Sequence, residues 1–230
     1  DVVIFPGGSG SRQAEALGAK GRAKVRAMLD RGGGYVGICA GAYLAAEGFS
    51  WGLKVLDAKT VSSKWRRGRA VLKIELTDAG RELLGDRTSP FDCKYNCGPV
   101  FKPAGSDVLP DYQALALFRT EVAENGTPVG VMTGSPAVLA GRFGRGRGIC
   151  ISPHPEQMPG LEPLVRRAVD WASGRLSTLR APQSPRPSTG GVPRAAWPAS
   201  GGRACPAQRA PRAEARTATG SGPGDGPGPS

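Results

Sequence analysis

Two short apolar runs, Val2-Val3-Ile4-Phe5 and Tyr35-Val36-Gly37-Ile38, each end in a turn of small residues. A continuous apolar run of this length suits a strand buried on both faces, as in a parallel sheet. Between them, residues 20–31 have a helical period. Val25, Met28 and Leu29 share one face, Arg22, Lys24, Arg26 and Asp30 lie mostly elsewhere, and Gly32-Gly33-Gly34 stops the helix. Residues 40–46 read as another helix directly after the second strand. The alternation predicts an α/β fold, with a mostly parallel sheet flanked by helices.

The middle of the chain is less regular. Residues 55–56 and 71–76 read as strands, and residues 78–84 as a short helix with Thr77 as its N-cap. Residues 114–118, 129–132 and 137–140 are further strand candidates, so the middle adds antiparallel strands. A glycine-rich turn over residues 142–147 leads into a strand at 148–152. Residues 161–171 close the domain as an amphipathic helix, with Leu161, Leu164, Val165, Ala168 and Trp171 on one side. From about Ser177 onward Pro, Gly, Ala, Ser and Arg dominate, without an apolar period. Such a segment has too little apolar surface to offset the entropy of ordering. The organisation expected is a folded domain over 1–176 and a disordered tail over 177–230.

The chain carries 31 basic and 19 acidic residues, a formal charge of +12. Seven arginines and two acids lie in 177–230, so the tail carries +5 and the domain +7. The tail arginines are scattered among prolines, and Lys64-Trp65-Arg66-Arg67-Gly68-Arg69 reads as a solvated loop before a strand. A nucleic-acid partner is therefore disfavoured. Five cysteines, odd in number and irregular in spacing, form neither a zinc pattern nor a disulfide framework. A reducing, cytoplasmic setting is expected. No run approaches the ~20 apolar residues that span a bilayer. The chain opens inside a strand without Met, which reads as a truncated start that could have lost a leader. Nothing in the residues specifies an oligomeric state.

Cys39 stands in Gly37-Ile38-Cys39-Ala40-Gly41, the Gly-x-nucleophile-x-Gly spacing of a strand-to-helix elbow. A nucleophile on so tight a turn needs neighbours without bulky side chains. The helix that follows would favour thiolate and aim the Ala40 N–H at a developing oxyanion. His154 is the only histidine of the chain, in Ser152-Pro153-His154-Pro155-Glu156. In an extended segment Glu156 projects to the same side as His154 and can accept from Nδ1, leaving Nε2 for the thiol. Both residues follow predicted strands, where sites gather in open α/β sheets. Pro6-Gly7-Gly8 ends the first strand at the same edge, and the Gly8 amide is a second oxyanion donor candidate. Tyr95 and Asn96 precede Gly98-Pro99 and are candidates to line the pocket. Arg119 and Glu121 are spaced to pair on one strand face. Trp51, Trp65 and Trp171 read as core or cover.

Together, Pro6-Gly7-Gly8, Gly37-Ile38-Cys39-Ala40-Gly41 and His154-Pro155-Glu156 resemble the class I glutamine amidotransferase-like superfamily. With Asn96-Cys97-Gly98-Pro99-Val100, the chain resembles its branch known as the biotin-protein ligase N-terminal domain, over residues 1–176. The resemblance implies a flavodoxin-like sheet, a Cys39, His154, Glu156 triad, and an oxyanion and substrate pocket with Gly7, Gly8, Ala40, Tyr43 and Asn96. It calls for no metal and no organic cofactor. Tyr43 departs from the glutamine that glutaminases of the superfamily carry four residues after the nucleophile. Residues 1–230 show no synthetase or biotin-transfer pattern, so ammonia transfer or ligation is not the activity expected of them. The expected function is a cysteine-dependent amide hydrolase or acyl-transfer domain acting on a small amide-like molecule. The rival expectations are a catalytically silent binding or regulatory domain, and nucleic-acid association through the basic tail.

Overall fold

The computed structural model describes residues 1–176; the tail expected to be disordered lies outside the described residues. Seven strands form one sheet: β1 (Val2–Phe5), β2 (Gly34–Ile38), β4 (Arg69–Leu76), β5 (Phe91–Asn96), β7 (Gln113–Phe118), β8 (Pro136–Phe143) and β9 (Gly146–Ile151). Their order is β1-β2-β9-β8-β7-β4-β5, while β3 (Ala58–Thr60) and β6 (Phe101–Pro103) make a separate antiparallel pair. The helices are α1 (Gly10–Asp30), α2 (Ala40–Ala45), α3 (Asp78–Leu84) and α4 (Glu162–Ala172).

The α/β architecture with flanking helices is as expected. Strands β1, β2 and β9 pair in parallel, and every other neighbour pair in this sheet is antiparallel. Two neighbour pairs are parallel and four antiparallel, so the parallel portion is the smaller part of the sheet, because the middle of the chain contributes β4, β5, β7 and β8 in antiparallel register. The parallel portion holds the site, because β2 ends at Cys39 and β9 leads to His154.

Each face of the sheet carries its own core. Tyr35 of β2 packs with Ala14, Leu29 and Leu44 from α1 and α2. Val36 and Ile38 face the other way, toward Leu164, Ala168 and Trp171 of α4 and Leu83 of α3. The alternation of β2 therefore feeds both layers, and all five of its residues are buried. Val2–Phe5 differs from expectation. It lies at an edge of the sheet, and Ile4 is 49% exposed.

Several boundaries also move. Helix α1 begins ten residues before Lys20, capped by the Ser9 hydroxyl, which accepts from the Arg12 N–H; Gly18, at φ 59°, interrupts it. Residues 129–132 are not a strand, because Gly130 and Gly134 adopt positive φ and the Glu121 carboxylate accepts from the Gly130 and Met132 N–H groups. Residues 55–56 contribute one isolated bridge, Leu56 to Ala46. The Thr77 cap holds: its hydroxyl accepts from the Gly80 N–H at 3.0 Å. Trp171 is 2% exposed, with the Arg147 guanidinium 5.5 Å from its ring centre. Trp171→Ala is expected to cost about 3–5 kcal/mol by chemical denaturation, mostly as a cavity that the sheet and α4 cannot close.

Candidate functional site

The turn between β2 and α2 forces Cys39 into an unusual backbone state, φ 50° and ψ −98°. Its N–H donates to the Ile151 carbonyl of β9 at 2.8 Å, so the end of the parallel sheet holds it there. The flanking glycines have a direct steric cause. A Cβ on Gly37 would lie 2.6 Å from the Gly41 carbonyl, and one on Gly41 would lie 2.1 Å from the Phe5 carbonyl oxygen. Any side chain at either position would push β1, β2 and α2 apart.

His154 follows β9 and is 4% exposed. Its N–H donates to the Lys94 carbonyl of β5 at 2.7 Å, which fixes the backbone from the far side of the site. Nδ1 lies 2.6 Å from Glu156 Oε1, and the Gln157 amide donates to the same carboxylate oxygen at 3.3 Å. The expected partner is right but the expected geometry is not. Residues Pro155–Gln157 form a 3₁₀ turn rather than an extended segment, and the turn brings the carboxylate back onto the ring. With Nδ1–H donating to Glu156, Nε2 is an acceptor in the neutral ring and a donor in the imidazolium. Nε2 is buried without a hydrogen-bond partner among the described residues. The ring also lies over Gly7, where a Cβ would sit 2.7 Å from Cε1. Gly7 therefore makes room for the imidazole.

The Cys39 thiol is the largest cause of a raised His154 pKa, followed by the Glu156 carboxylate; burial opposes them, and the result is about 9. Yet the thiol donates its own hydrogen bond, at 3.4 Å, to the Asn96 carbonyl. One thiol hydrogen cannot serve both acceptors, so while it points to Asn96 the Glu156 carboxylate is what raises the imidazole, and the Cys39 contribution belongs to the arrangement in which the thiol turns to the ring. Burial raises the Glu156 carboxyl, but the His154 hydrogen bond and attraction more than offset it and hold the group below its ordinary value. A pH effect follows. A base with a raised folded pKa stabilises the fold fully below its ordinary value of ~6.5, and the contribution fades as pH rises through about 9. Urea denaturation is expected to show stability falling across that window, and falling less in His154→Gln.

Gly7, Gly8, Ala40, Tyr43, Asn96, Glu156, Cys39 and His154 all line one cavity of about 970 Å³. Tyr43, one turn into α2, donates its hydroxyl to the Cys97 carbonyl at 3.1 Å. Asn96 offers its carbonyl to Cys39 and its side-chain oxygen to Arg69 Nε, at 3.0 Å. Tyr95 does not line the cavity: it is fully buried, and its hydroxyl donates to the Gly98 carbonyl at 2.6 Å.

The sequence reading missed the outer wall. Phe49, Trp51, Trp65, Arg66, Arg69 and Cys97 line the same cavity. Trp51 and Trp65 are thus pocket residues, while Trp171 is core as expected. The basic cluster is only partly solvated. Arg67 is buried, 3.4 Å from Glu121 Oε2, and donates to the Pro128 carbonyl at 2.9 Å. Arg119, which follows β7, pairs with Glu75 of β4 instead of with Glu121. The Arg67 contacts, with Glu124 N–H donating to the Arg67 carbonyl at 2.8 Å, stitch the 62–69 loop to the 119–135 segment. Among the described residues no group of three or more His, Cys, Asp or Glu is arranged to hold a metal ion. Among them, too, no helix is long and apolar enough to cross a membrane.

Residues 1–64 match the family described as biotin-protein ligase, N terminal. No curated protein matches the chain. Among solved structures, PurLQS from Thermotoga maritima is similar with a TM-score of 0.52 at 14% identity, over 74% of this chain and 79% of that one. A cytoplasmic protein from Salmonella typhimurium is similar with a TM-score of 0.49 at 12% identity, over 75% and 72%. A β-galactosidase from Rahnella gives 0.46 at 15% identity over 74% of this chain, which spans only 22% of that enzyme. The chain shares its fold with the PurLQS structure over 74% of its length. The residues that carry the family match, 1–64, include the Gly37–Gly41 turn.

Proposed function

We propose that this domain is a cysteine-dependent amide hydrolase or acyl-transferase. One observation carries the reading. Cys39 lies in one cavity with the only imidazole of the chain, whose Nδ1 meets Glu156 and whose Nε2 is unpartnered. This is the division of labour a nucleophile, base and orienting carboxylate require.

The chemistry runs in two halves. Cys39 passes its proton to His154 Nε2 and its sulfur attacks the carbonyl carbon of an amide. The carbonyl oxygen becomes an oxyanion held by the Gly8 and Ala40 amides. Imidazolium Nε2–H then protonates the leaving nitrogen, the C–N bond breaks, and a thioester remains on Cys39. Water or another acceptor, deprotonated by His154, attacks the thioester; the acyl product leaves and the thiol returns. Glu156 keeps Nδ1 protonated throughout. Tyr43 stands where glutaminases of this superfamily carry Gln, so glutamine is not the substrate favoured.

The hydrogen bond from the thiol to the Asn96 carbonyl favours a second reading, a silent binding or regulatory domain in which Cys39 stays protonated. An activated ester separates the two. With p-nitrophenyl acetate, a burst of one equivalent is expected, with the acetyl group mapped by mass spectrometry to Cys39 and absent in Cys39→Ser. Acetylation of Cys97 instead, or a burst that survives in Cys39→Ser, would overturn the proposal.

A further inference from the structure

The cavity is larger than a small amide requires. At about 970 Å³ it sits at the upper end of ligand pockets, and part of its wall is aromatic. Phe49 and Trp51 stack with ring centres 4.6 Å apart and planes at 23°. Tyr43 meets Phe49 edge-on at 6.0 Å. All three rings are half-buried, so a face or edge of each remains open. Trp51 is backed by α1, because a Cβ on Gly10 would lie 3.0 Å from its ring. The aromatic tier is thus braced by the fold.

A fourth ring belongs to another element of the wall. Trp65 is 51% exposed, among the most exposed large apolar side chains of the described residues, and it lines this cavity. The Arg66 guanidinium lies 5.0 Å from its ring centre. The loop that carries it is tied down by the Arg67 contacts already described. Aromatic surface left open in a fixed loop beside a nucleophile calls for a partner with a flat face.

Resting on the amide-acyl reading of Cys39, we infer that the substrate carries a planar aromatic or heteroaromatic group, bound between the Tyr43, Phe49, Trp51 tier and Trp65. The reacting carbonyl then meets Cys39 at the cavity floor while the ring fills the outer volume. Removing a single aromatic from such a stack costs about fivefold to 150-fold in affinity.

The test compares two alkylating reagents that differ by one ring, iodoacetamide and iodoacetanilide, each rate divided by its rate with glutathione. In the full chain the normalised rate at Cys39 is expected to be at least tenfold higher for iodoacetanilide and to saturate with concentration. Trp65→Ala and Phe49→Leu are each expected to pull the ratio of the two reagents toward the glutathione value. Trp65 is exposed, so its removal does not endanger folding. A ratio equal to that of glutathione overturns the aromatic site, however fast Cys39 reacts. If Cys39 alkylates no faster than Cys97 yet the ratio stays high, the aromatic site stands and the nucleophile reading fails. Quenching of tryptophan fluorescence by acetanilide in Cys39→Ser, expected for the site, reads binding without any chemistry; no quenching counts against it.

Discussion

Gly41→Ala is expected to destabilise the domain by about 3 kcal/mol or more, the size reserved for backbone clashes that cannot relax. The added methyl carbon would lie 2.1 Å from the Phe5 carbonyl oxygen and 2.8 Å from Phe5 Cβ. Neither partner can retreat cheaply. Phe5 is held by its parallel register with Gly37, and the Gly41 carbonyl accepts the buried Tyr35 hydroxyl at 2.6 Å. Gly160→Ala is the proper comparison. Its Cβ would meet nothing, so only the cost of φ 78° remains, about 1 kcal/mol. Urea denaturation followed by circular dichroism compares the two. A Gly41→Ala protein within 1 kcal/mol of the wild type would mean that β1, β2 and α2 do not converge on Cys39 as described.

The second large effect is chemical. At pH 7, His154→Ala is expected to slow alkylation of Cys39 by iodoacetamide about a hundredfold, the lower range for loss of a positioned proton acceptor. The thiolate is the reactive form, and an adjacent imidazolium is what favours it. Glu156→Gln is expected to fall between, near tenfold, because an amide still occupies the Nδ1 side but loses the charge. Cys97 serves as the internal reference. Its thiol is half-exposed and donates to the Gly68 carbonyl at 3.4 Å, in the same cavity. Equal slowing of Cys97 and Cys39 in His154→Ala would point to distortion of the pocket. Unchanged Cys39 reactivity would remove His154 from the proton relay.

The parts of this architecture visible in the sequence are those set by local sterics. An apolar run that stops at Gly-x-Cys-x-Gly can hardly be anything but a strand meeting a helix, because Gly37 and Gly41 have no room for side chains. Strand β5 was missed although its pattern is clean: Phe91, Cys93 and Tyr95 are buried while Asp92 and Lys94 are exposed. Its charges alternate with the apolar residues and so mark the period of a half-buried strand, a signal that was present over these six residues. Residues 129–132 erred the other way. Their apolar content suggests a strand, but positive φ at Gly130 and Gly134 turns the chain. The outer wall of the cavity depends on Arg67 meeting Glu121, a pairing across 54 positions that has no local signature. The His154 and Glu156 pair was legible as chemistry but not as conformation, since a 3₁₀ turn and a strand can both bring i and i+2 together.

The central claim is that the Cys39 sulfur and the His154 ring share a proton environment. Because the chain has one histidine, imidazole carbon and nitrogen signals in a histidine-labelled, untagged sample belong to a single residue. Their titration by NMR is expected to show a midpoint raised above the ordinary ~6.5, moving down in Cys39→Ser. A midpoint already near 6.5 in the wild-type protein, unmoved by Cys39→Ser, would contradict the account.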